Sequence, residues 1–288
     1  MKHHSIRKTL QRQGWRLLLP LAALGWHGAA SAQIALDVIG PHEYDLPVDF
    51  EPFNAFVQYS RVSDSGHVWN TDGDRVKADT GQVLVGLSKY VRFWTPSWNR
   101  KIGLAYEVLV PEVGIRNAGG TRSFNGGIGD PITGAAIWFK PSENATLGLQ
   151  SFVQIPVGSN AVSDTNWKNL TSLFWGWQIT KQVGLTGNGG FVWQSQQTSG
   201  FTPGLTLHIN QRLGWRVHPH IEPFLGIDSE YTRANDGAPR AWAVDGGGGI
   251  VFHTFANQSI TLRYSATLQA ENHADNRSIN LKYAYVWK

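Results

Sequence analysis

The stretch SINLKYAYVW, residues 278–287, alternates between apolar and polar or small side chains along most of its length. One set of alternate positions holds Ile279, Leu281, Tyr283, Tyr285 and Trp287, and the other holds Ser278, Asn280, Lys282 and Ala284. Successive side chains of a β-strand point to opposite faces, so a period of two indicates a strand rather than a helix. The stretch predicts a strand with one face suited to lipid and the other suited to water.

Other segments repeat this alternation along the chain. The clearest lie at 101–108, 146–155 and 260–269, where apolar and polar side chains again occupy separate faces. Weaker candidates lie at 53–62, 79–90, 127–139, 168–180, 183–195, 201–211, 217–229 and 241–254. Together with the last segment they give about twelve strands, an even number that suits a closed barrel of antiparallel strands.

The lengths of the connections alternate as well. Long polar connections occupy Ser63–Ala78, Pro111–Gly126, Val157–Trp167 and Glu230–Arg240, and short ones occupy Lys140–Glu143, Thr180–Gln182 and Phe255–Asn257. Outer-membrane barrels combine long extracellular loops with short periplasmic turns. The architecture of a secreted β-sandwich or soluble barrel does not require long and short connections to alternate. Such a fold would also bury Arg263 and Lys282 without partners. The chain therefore predicts an all-β, antiparallel up-and-down transmembrane β-barrel over residues 53–288.

The N-terminal part precedes the first strand and divides into two segments. Residues 1–32 have a basic start, an apolar run from Leu17 to Leu24, and Ala30-Ser31-Ala32 at the end. This order of parts predicts a secretory signal peptide that is cleaved after Ala32. Residues 33–52 contain three prolines and no clear alternation, so we expect a periplasmic N-terminal segment or one that enters the lumen.

Composition excludes several classes of protein. The predicted signal peptide holds five of the 25 Lys and Arg residues and none of the 21 Asp and Glu residues, so the mature chain is nearly neutral. A nearly neutral chain lacks the basic face that nucleic acid requires. The absence of cysteine excludes disulfides and thiolate metal sites. No run of about 18 apolar residues follows residue 32, which excludes a helical membrane protein.

Two short motifs carry a family resemblance. Gly127-Ile128-Gly129-Asp130 opens one predicted strand, and Ile155-Pro156-Val157-Gly158 lies at the outer end of the next. Their order and spacing resemble the family of the meta-pathway of phenol degradation, and the similarity extends from Gly81 to Trp287. The resemblance implies an outer-membrane barrel that transports small hydrophobic or aromatic compounds. It also implies outer-membrane lipids, the barrel-assembly machinery and a small-molecule solute as partners.

Inward-facing positions of the predicted strands supply the candidate ligand and lumen residues. These are Gln150, Phe152, Gln154, Phe174, Gln178, His208, His220, Glu222, Phe224, Arg263 and Lys282. A turn near Leu213–Arg216 would bring His208 close to His220 and Glu222, where the group could bind a metal or titrate near neutral pH. An ordinary water-filled lumen explains the same residues, and we assign no metal ligand.

Two other functions stay open on the sequence. An outer-membrane lipid hydrolase would need a serine nucleophile with a base, but the chain has neither a Gly-x-Ser-x-Gly nor a His-x-Ser-Asn-Gly motif. A non-transporting barrel would act through its extracellular loops, of which Ser63–Ala78 is the first. We expect no enzyme, no catalytic residue and no cofactor.

Overall fold

The computed structural model describes residues 40–64, 66–78, 81–116 and 124–288. The predicted signal peptide lies outside the described residues, as do residues 33–39. No helix in the part of the chain that the structure describes is long and apolar enough to cross a membrane.

Twelve long strands form one closed sheet. They are β1 (Phe53–Asp64), β4 (Gln82–Trp94), β5 (Ile102–Arg116), β7 (Ile132–Ser142), β8 (Ala145–Gln154), β9 (Lys168–Gln178), β10 (Val183–Gln194), β11 (Thr206–Trp215), β12 (Ile221–Thr232), β13 (Ala241–Phe255), β14 (Gln258–Glu271) and β16 (Arg277–Trp287). Each pairs antiparallel with its neighbours, and β1 pairs with both β4 and β16, which closes the barrel. The predicted fold and strand number are confirmed.

Four short strands complete the structure. Strand β6 (Phe124–Ile128) pairs with the outer end of β5. Strands β2 (His67–Trp69), β3 (Arg75–Lys77) and β15 (His273–Ala274) form a separate sheet in the order β15-β2-β3. Because β15 and the β2–β3 pair belong to connections at the same end of the barrel, this small sheet joins two extracellular loops.

The two faces of each strand meet different surroundings. On β16, Ile279 and Leu281 are 57% and 45% exposed, whereas Ser278 and Asn280 are 1% and 7% exposed. In a closed barrel the exposed set faces outward and the buried set faces the lumen. The orientation that the alternation predicts for this strand is the one observed. The lumen is consequently lined by alternate residues of all twelve strands.

Candidate functional site in the barrel lumen

Residues 40–50 lie across one end of the barrel lumen and contact several of its walls, whereas Asp49 within this stretch and the following Glu51 and Pro52 are exposed. His42 Nε2 lies 2.5 Å from Glu222 Oε1 on β12. The Tyr59 hydroxyl on β1 donates to Glu43 Oε1 at 2.9 Å, and Lys282 on β16 donates to the same carboxylate. The described part of the N-terminal segment thus occupies the end of the lumen where the short turns lie, which is the periplasmic end in outer-membrane barrels.

Aromatic packing holds the same segment against the opposite wall. The Tyr44 ring stacks on Phe174 with a centroid distance of 4.6 Å. Trp138 donates its indole N–H to the Pro47 carbonyl oxygen at 2.7 Å, and the Phe50 ring stacks on Trp138 at 6.2 Å. Tyr44, Trp138 and Phe174 are all buried. Ion pairs on one wall and aromatic contacts on the other fix the segment across the lumen.

A cavity of about 190 Å³ lies in the lumen next to this segment. Glu43, Tyr44 and Leu46 contribute to its lining, so the N-terminal segment closes it on the periplasmic side. Apolar side chains from neighbouring strands form much of the remaining wall, including Val57, Leu87, Val91, Leu109, Ile132 and Phe152. Polar side chains from β8 to β11 also line it, namely Gln150, Gln154, Ser172, Asn188 and His208.

Charged side chains around the cavity are paired with opposite charges. Lys89 Nζ lies 2.6 Å from Glu107 Oε2, and Lys168 Nζ lies 2.6 Å from Asp164 Oδ2. The Glu43 carboxylate is paired with Lys282. Burying an ion without a counter-charge costs several kcal/mol, so these pairs allow charged residues to stand beside an apolar cavity.

Asp130 links the two short motifs found in the sequence. Its carboxylate accepts hydrogen bonds from Gly158 N, Ser163 Oγ and Asp164 N, each at 2.8 Å. The Ser159 N–H donates to the Ile128 carbonyl oxygen at 2.8 Å. The Gly-Ile-Gly-Asp segment therefore binds the loop that begins at Ile155-Pro156-Val157-Gly158, and it fixes one rim of the cavity.

Five predicted lumen residues line the cavity: Gln150, Phe152, Gln154, Phe174 and His208. Gln150 Nε2 donates to Ser172 Oγ at 2.9 Å and lies 3.4 Å from the Tyr44 hydroxyl. Gln154 Nε2 lies within 3.4 Å of both Asp130 and Asp164. These amides therefore connect the cavity wall to the N-terminal segment and to the loop at the rim.

The other predicted residues lie elsewhere in the barrel. Gln178 donates to the Thr180 carbonyl oxygen beside a periplasmic turn, and Phe224 is buried against Gly249. Arg263 is paired with Asp228, which also lies 2.7 Å from Arg212. Lys282 binds Glu43 and lies over the Tyr59 ring. These residues stabilise the wall or the N-terminal segment and do not line the cavity.

The predicted cluster of His208, His220 and Glu222 does not form. Strand β11 continues to Trp215, so His208 pairs with Glu230 and lies eight residues along β12 from Glu222, roughly 26 Å in an extended strand. His220 is exposed in the periplasmic turn, where its Nδ1 lies 2.8 Å from the His253 carbonyl oxygen. The described residues include no group of three or more His, Asp or Glu side chains placed to bind a metal.

Several lining residues were absent from the sequence-based set. Glu43, Tyr44 and Leu46 lie in a segment without alternation, so their position could not be predicted from a period of two. Asn188 lies among Gly187, Gly189 and Gly190, which weaken the alternation of β10. Its inward position follows from its neighbours only once the strand register is known.

The closed barrel of antiparallel strands, apolar outside and lined with paired polar groups inside, is the architecture of an outer-membrane protein. The chain belongs to the family described as "Putative MetA-pathway of phenol degradation", whose family model matches residues 65–283. The protein is thus an outer-membrane β-barrel, and the resemblance seen in the sequence is confirmed. A sequence search of curated proteins found no match.

Solved structures agree with this fold. The chain is similar to an outer membrane channel from Pseudomonas putida F1, with a TM-score of 0.74 and 17% identity over 86% of this chain and 100% of that one. It is also similar to the β domain of the Bordetella autotransporter BrkA, with a TM-score of 0.52 and 9% identity over 82% of this chain and 99% of that one. At these identities the likeness concerns the fold.

Proposed function

We propose that this protein is an outer-membrane channel for the uptake of small hydrophobic or aromatic compounds. The observation that carries the proposal is the largely apolar cavity inside a barrel whose periplasmic end is closed by residues 40–50. A general porin has a polar, water-filled lumen. A cavity lined with apolar and aromatic side chains instead favours solutes that leave water readily.

The size of the cavity supports a solute with one aromatic ring. An apolar cavity of about 150 Å³ in another protein binds benzene. The cavity of about 190 Å³ described here exceeds that volume by enough for a small substituent. The similarity to an outer membrane channel and the family described for phenol degradation point in the same direction.

The lining residues have different roles in binding. Phe152 offers a ring surface to an aromatic solute, and Phe174 supports the Tyr44 ring that stacks on it. Gln150, Gln154 and His208 offer hydrogen-bonding groups. Gln178, His220, Glu222, Phe224, Arg263 and Lys282 serve the wall or the N-terminal segment. A solute that continues into the periplasm has to pass residues 43–46, so movement of this segment accompanies transport. Outer-membrane lipids surround the barrel, and the barrel-assembly machinery inserts it.

Neighbouring alanines on β7 provide a matched test. Ala136 is buried and lines the cavity, whereas Ala135 is exposed on the outer face. Ala136→Phe should fill the cavity and reduce the swelling of liposomes in phenolic solutes by several-fold relative to wild type, while Ala135→Phe should leave it unchanged. Heat-modifiable gel mobility checks that both variants fold, because overpacking can destabilise a barrel.

The comparison with empty liposomes decides the proposal. Wild-type protein that gives no swelling above empty liposomes would overturn it. Equal swelling with folded Ala136→Phe and Ala135→Phe would show that solutes do not pass through this cavity.

A further inference from the structure

A row of directly opposed residues crosses the cavity wall from β8 to β11. Gln150 pairs with Ser172, Ser172 with Gly190, and Gly190 with His208. All four positions belong to the inward-facing set of their strands. Three polar side chains therefore stand at one level of the lumen, with a glycine between Ser172 and His208.

Gly190 allows strands β9 and β10 to approach closely within this row. A methyl group at this position would lie 2.0 Å from the Thr171 carbonyl oxygen, a distance no side chain tolerates. Glycine is thus required by the close approach of the neighbouring strand. Gly190 adds no side chain between Ser172 and His208, the polar residues on either side of it.

Hydrogen-bonding side chains lie next to this row on β10 and β11. Asn210 Nδ2 donates to Asn188 Oδ1 at 2.8 Å and lies 3.3 Å from His208 Nδ1. His208 Nδ1 then acts as the acceptor, so Nε2 carries the hydrogen of the neutral ring. Neither His208 Nε2 nor the Asn188 amide nitrogen has a hydrogen bond to another described residue. His208 and Asn188 are 7% and 3% exposed, and both line the cavity.

Ser172 adds a third donor. Its Oγ accepts a hydrogen bond from Gln150 Nε2 at 2.9 Å, which leaves its own hydroxyl hydrogen to point elsewhere. Ser172 is buried and lines the cavity beside Asn188 and His208. Three neutral donors thus lie on three neighbouring strands of one cavity wall, where an unused donor is costly.

The side of the cavity formed by β1, β4 and β5 carries both apolar and charged side chains. Val57, Leu87 and Leu109 project into the cavity from these strands. Lys89 also lines it, but this lysine is held in an ion pair with Glu107. An anionic ligand would therefore be buried beside neutral donors and several carboxylates, which is unfavourable.

We propose that Ser172, Asn188 and His208 form a recognition site for the oxygen atom of a neutral one-ring aromatic alcohol or carbonyl compound. The aromatic ring lies against the apolar side chains of Val57, Leu87 and Leu109, and the oxygen accepts hydrogen bonds from the donors on the β9–β11 wall. This site deepens the proposed function and rests on it for its biological role. Binding can be measured independently of transport.

Fluorinated probes separate the contributions of ring, oxygen and charge. We choose 4-fluorobenzyl alcohol, 4-fluorotoluene and 4-fluorobenzoate and measure their dissociation constants by ¹⁹F NMR with the full-length protein in detergent. Empty detergent micelles correct for partitioning. Wild-type protein should bind the alcohol more tightly than fluorotoluene, because a buried hydrogen bond contributes about 0.5–1.5 kcal/mol. It should bind the benzoate most weakly.

Substitutions of the proposed donors test the assignment. His208→Leu and Asn188→Leu should each weaken binding of the alcohol by about two- to ten-fold, the equivalent of one hydrogen bond, and leave fluorotoluene nearly unchanged. His208→Gln keeps an amide donor and should restore part of the preference. Thr186→Val serves as the matched control, since Thr186 is a buried inward-facing residue of β10 outside the cavity lining.

The outcomes distinguish this site from the transport function. Unchanged preference for the alcohol in folded His208→Leu and Asn188→Leu would overturn the recognition site while liposome swelling could still support the channel. Benzoate binding as tight as that of the alcohol would overturn the neutral ligand class. A preference for the alcohol that also disappears in Thr186→Val would assign the effect to the barrel as a whole and refute the site.

Discussion

The inner and outer faces of the barrel wall are built from the same strands but are stabilised in different ways. On the inner face, the buried Asp228 carboxylate contacts both Arg212 and Arg263. On the outer face, neighbouring Leu225 and Ile227 are 68% and 48% exposed and face the surrounding lipid. The inner face thus requires particular partners, whereas the outer face requires only an apolar side chain. Substitutions of adjacent residues can test this difference.

The largest expected effect concerns Asp228 on the inner face and Ser229, the next residue, on the outer face. Asp228→Leu removes the carboxylate that two buried guanidinium groups contact, and such a loss costs about 3–5 kcal/mol. Ser229→Leu places an apolar side chain toward lipid and should not destabilise the barrel. The measurement is the free energy of unfolding in urea, with both variants refolded into lipid vesicles. Equal stability of the two variants would contradict the comparison.

A charge inserted on the C-terminal strand should be tolerated on the inner face and not on the outer face. Leu281 faces lipid, whereas Asn280 faces the lumen directly opposite Arg61 and Arg263. An arginine near the middle of the lipid-facing wall costs about 2–4 kcal/mol, whereas a carboxylate between two arginines has counter-charges on both sides. We therefore expect Leu281→Arg to impair folding and Asn280→Asp to leave it nearly unchanged. Heat-modifiable gel mobility after refolding into vesicles measures the folded fraction, and equal fractions would refute the assigned faces.

The same contrast explains which parts of the fold could be predicted. The outer face requires only that alternate residues be apolar, so β16 and β8 were evident from a period of two. The number of alternating segments gave the number of strands, and the loop lengths gave their direction. Nothing in this pattern depends on contacts between distant residues, and the predicted barrel was correct.

The inner face could be predicted only in part, because its contacts depend on register. A turn was expected near Leu213–Arg216, but the strand continues through Gly214, where glycine leaves room for the Glu222 carboxylate. The predicted turn therefore placed His208 beside the first residues of β12, whereas His208 pairs with Glu230 near the other end of that strand. The N-terminal segment was harder still, since Glu43 and Lys282 are separated by 239 positions in the sequence.

The smallest effect on the stability of the barrel is expected from an ion pair outside the membrane. It joins His273 of the extracellular sheet to Glu230 near the outer end of β12. His273 Nε2 lies 2.5 Å from Glu230 Oε1, and His273 Nδ1 lies 2.8 Å from the Ala274 carbonyl oxygen. Both ring nitrogens therefore act as donors, which requires the protonated imidazole. Burial by itself lowers the pKa of His273, but the Glu230 carboxylate outweighs it and raises that pKa to about 9.

The direction of the pH dependence follows from this raised pKa. The pair stabilises the folded protein fully below the ordinary histidine pKa of 6.5, and its contribution is lost as the pH rises through about 9. His273→Gln should therefore cost about 1.5 kcal/mol at pH 6 and nearly nothing at pH 10. Urea unfolding of wild type and variant across this range measures the difference and cancels the titration of other groups. A difference in unfolding free energy that stays constant from pH 6 to pH 10 would show that Glu230 does not hold His273 in its protonated form. The extracellular sheet, unlike the lumen, would then not depend on a buried charge pair.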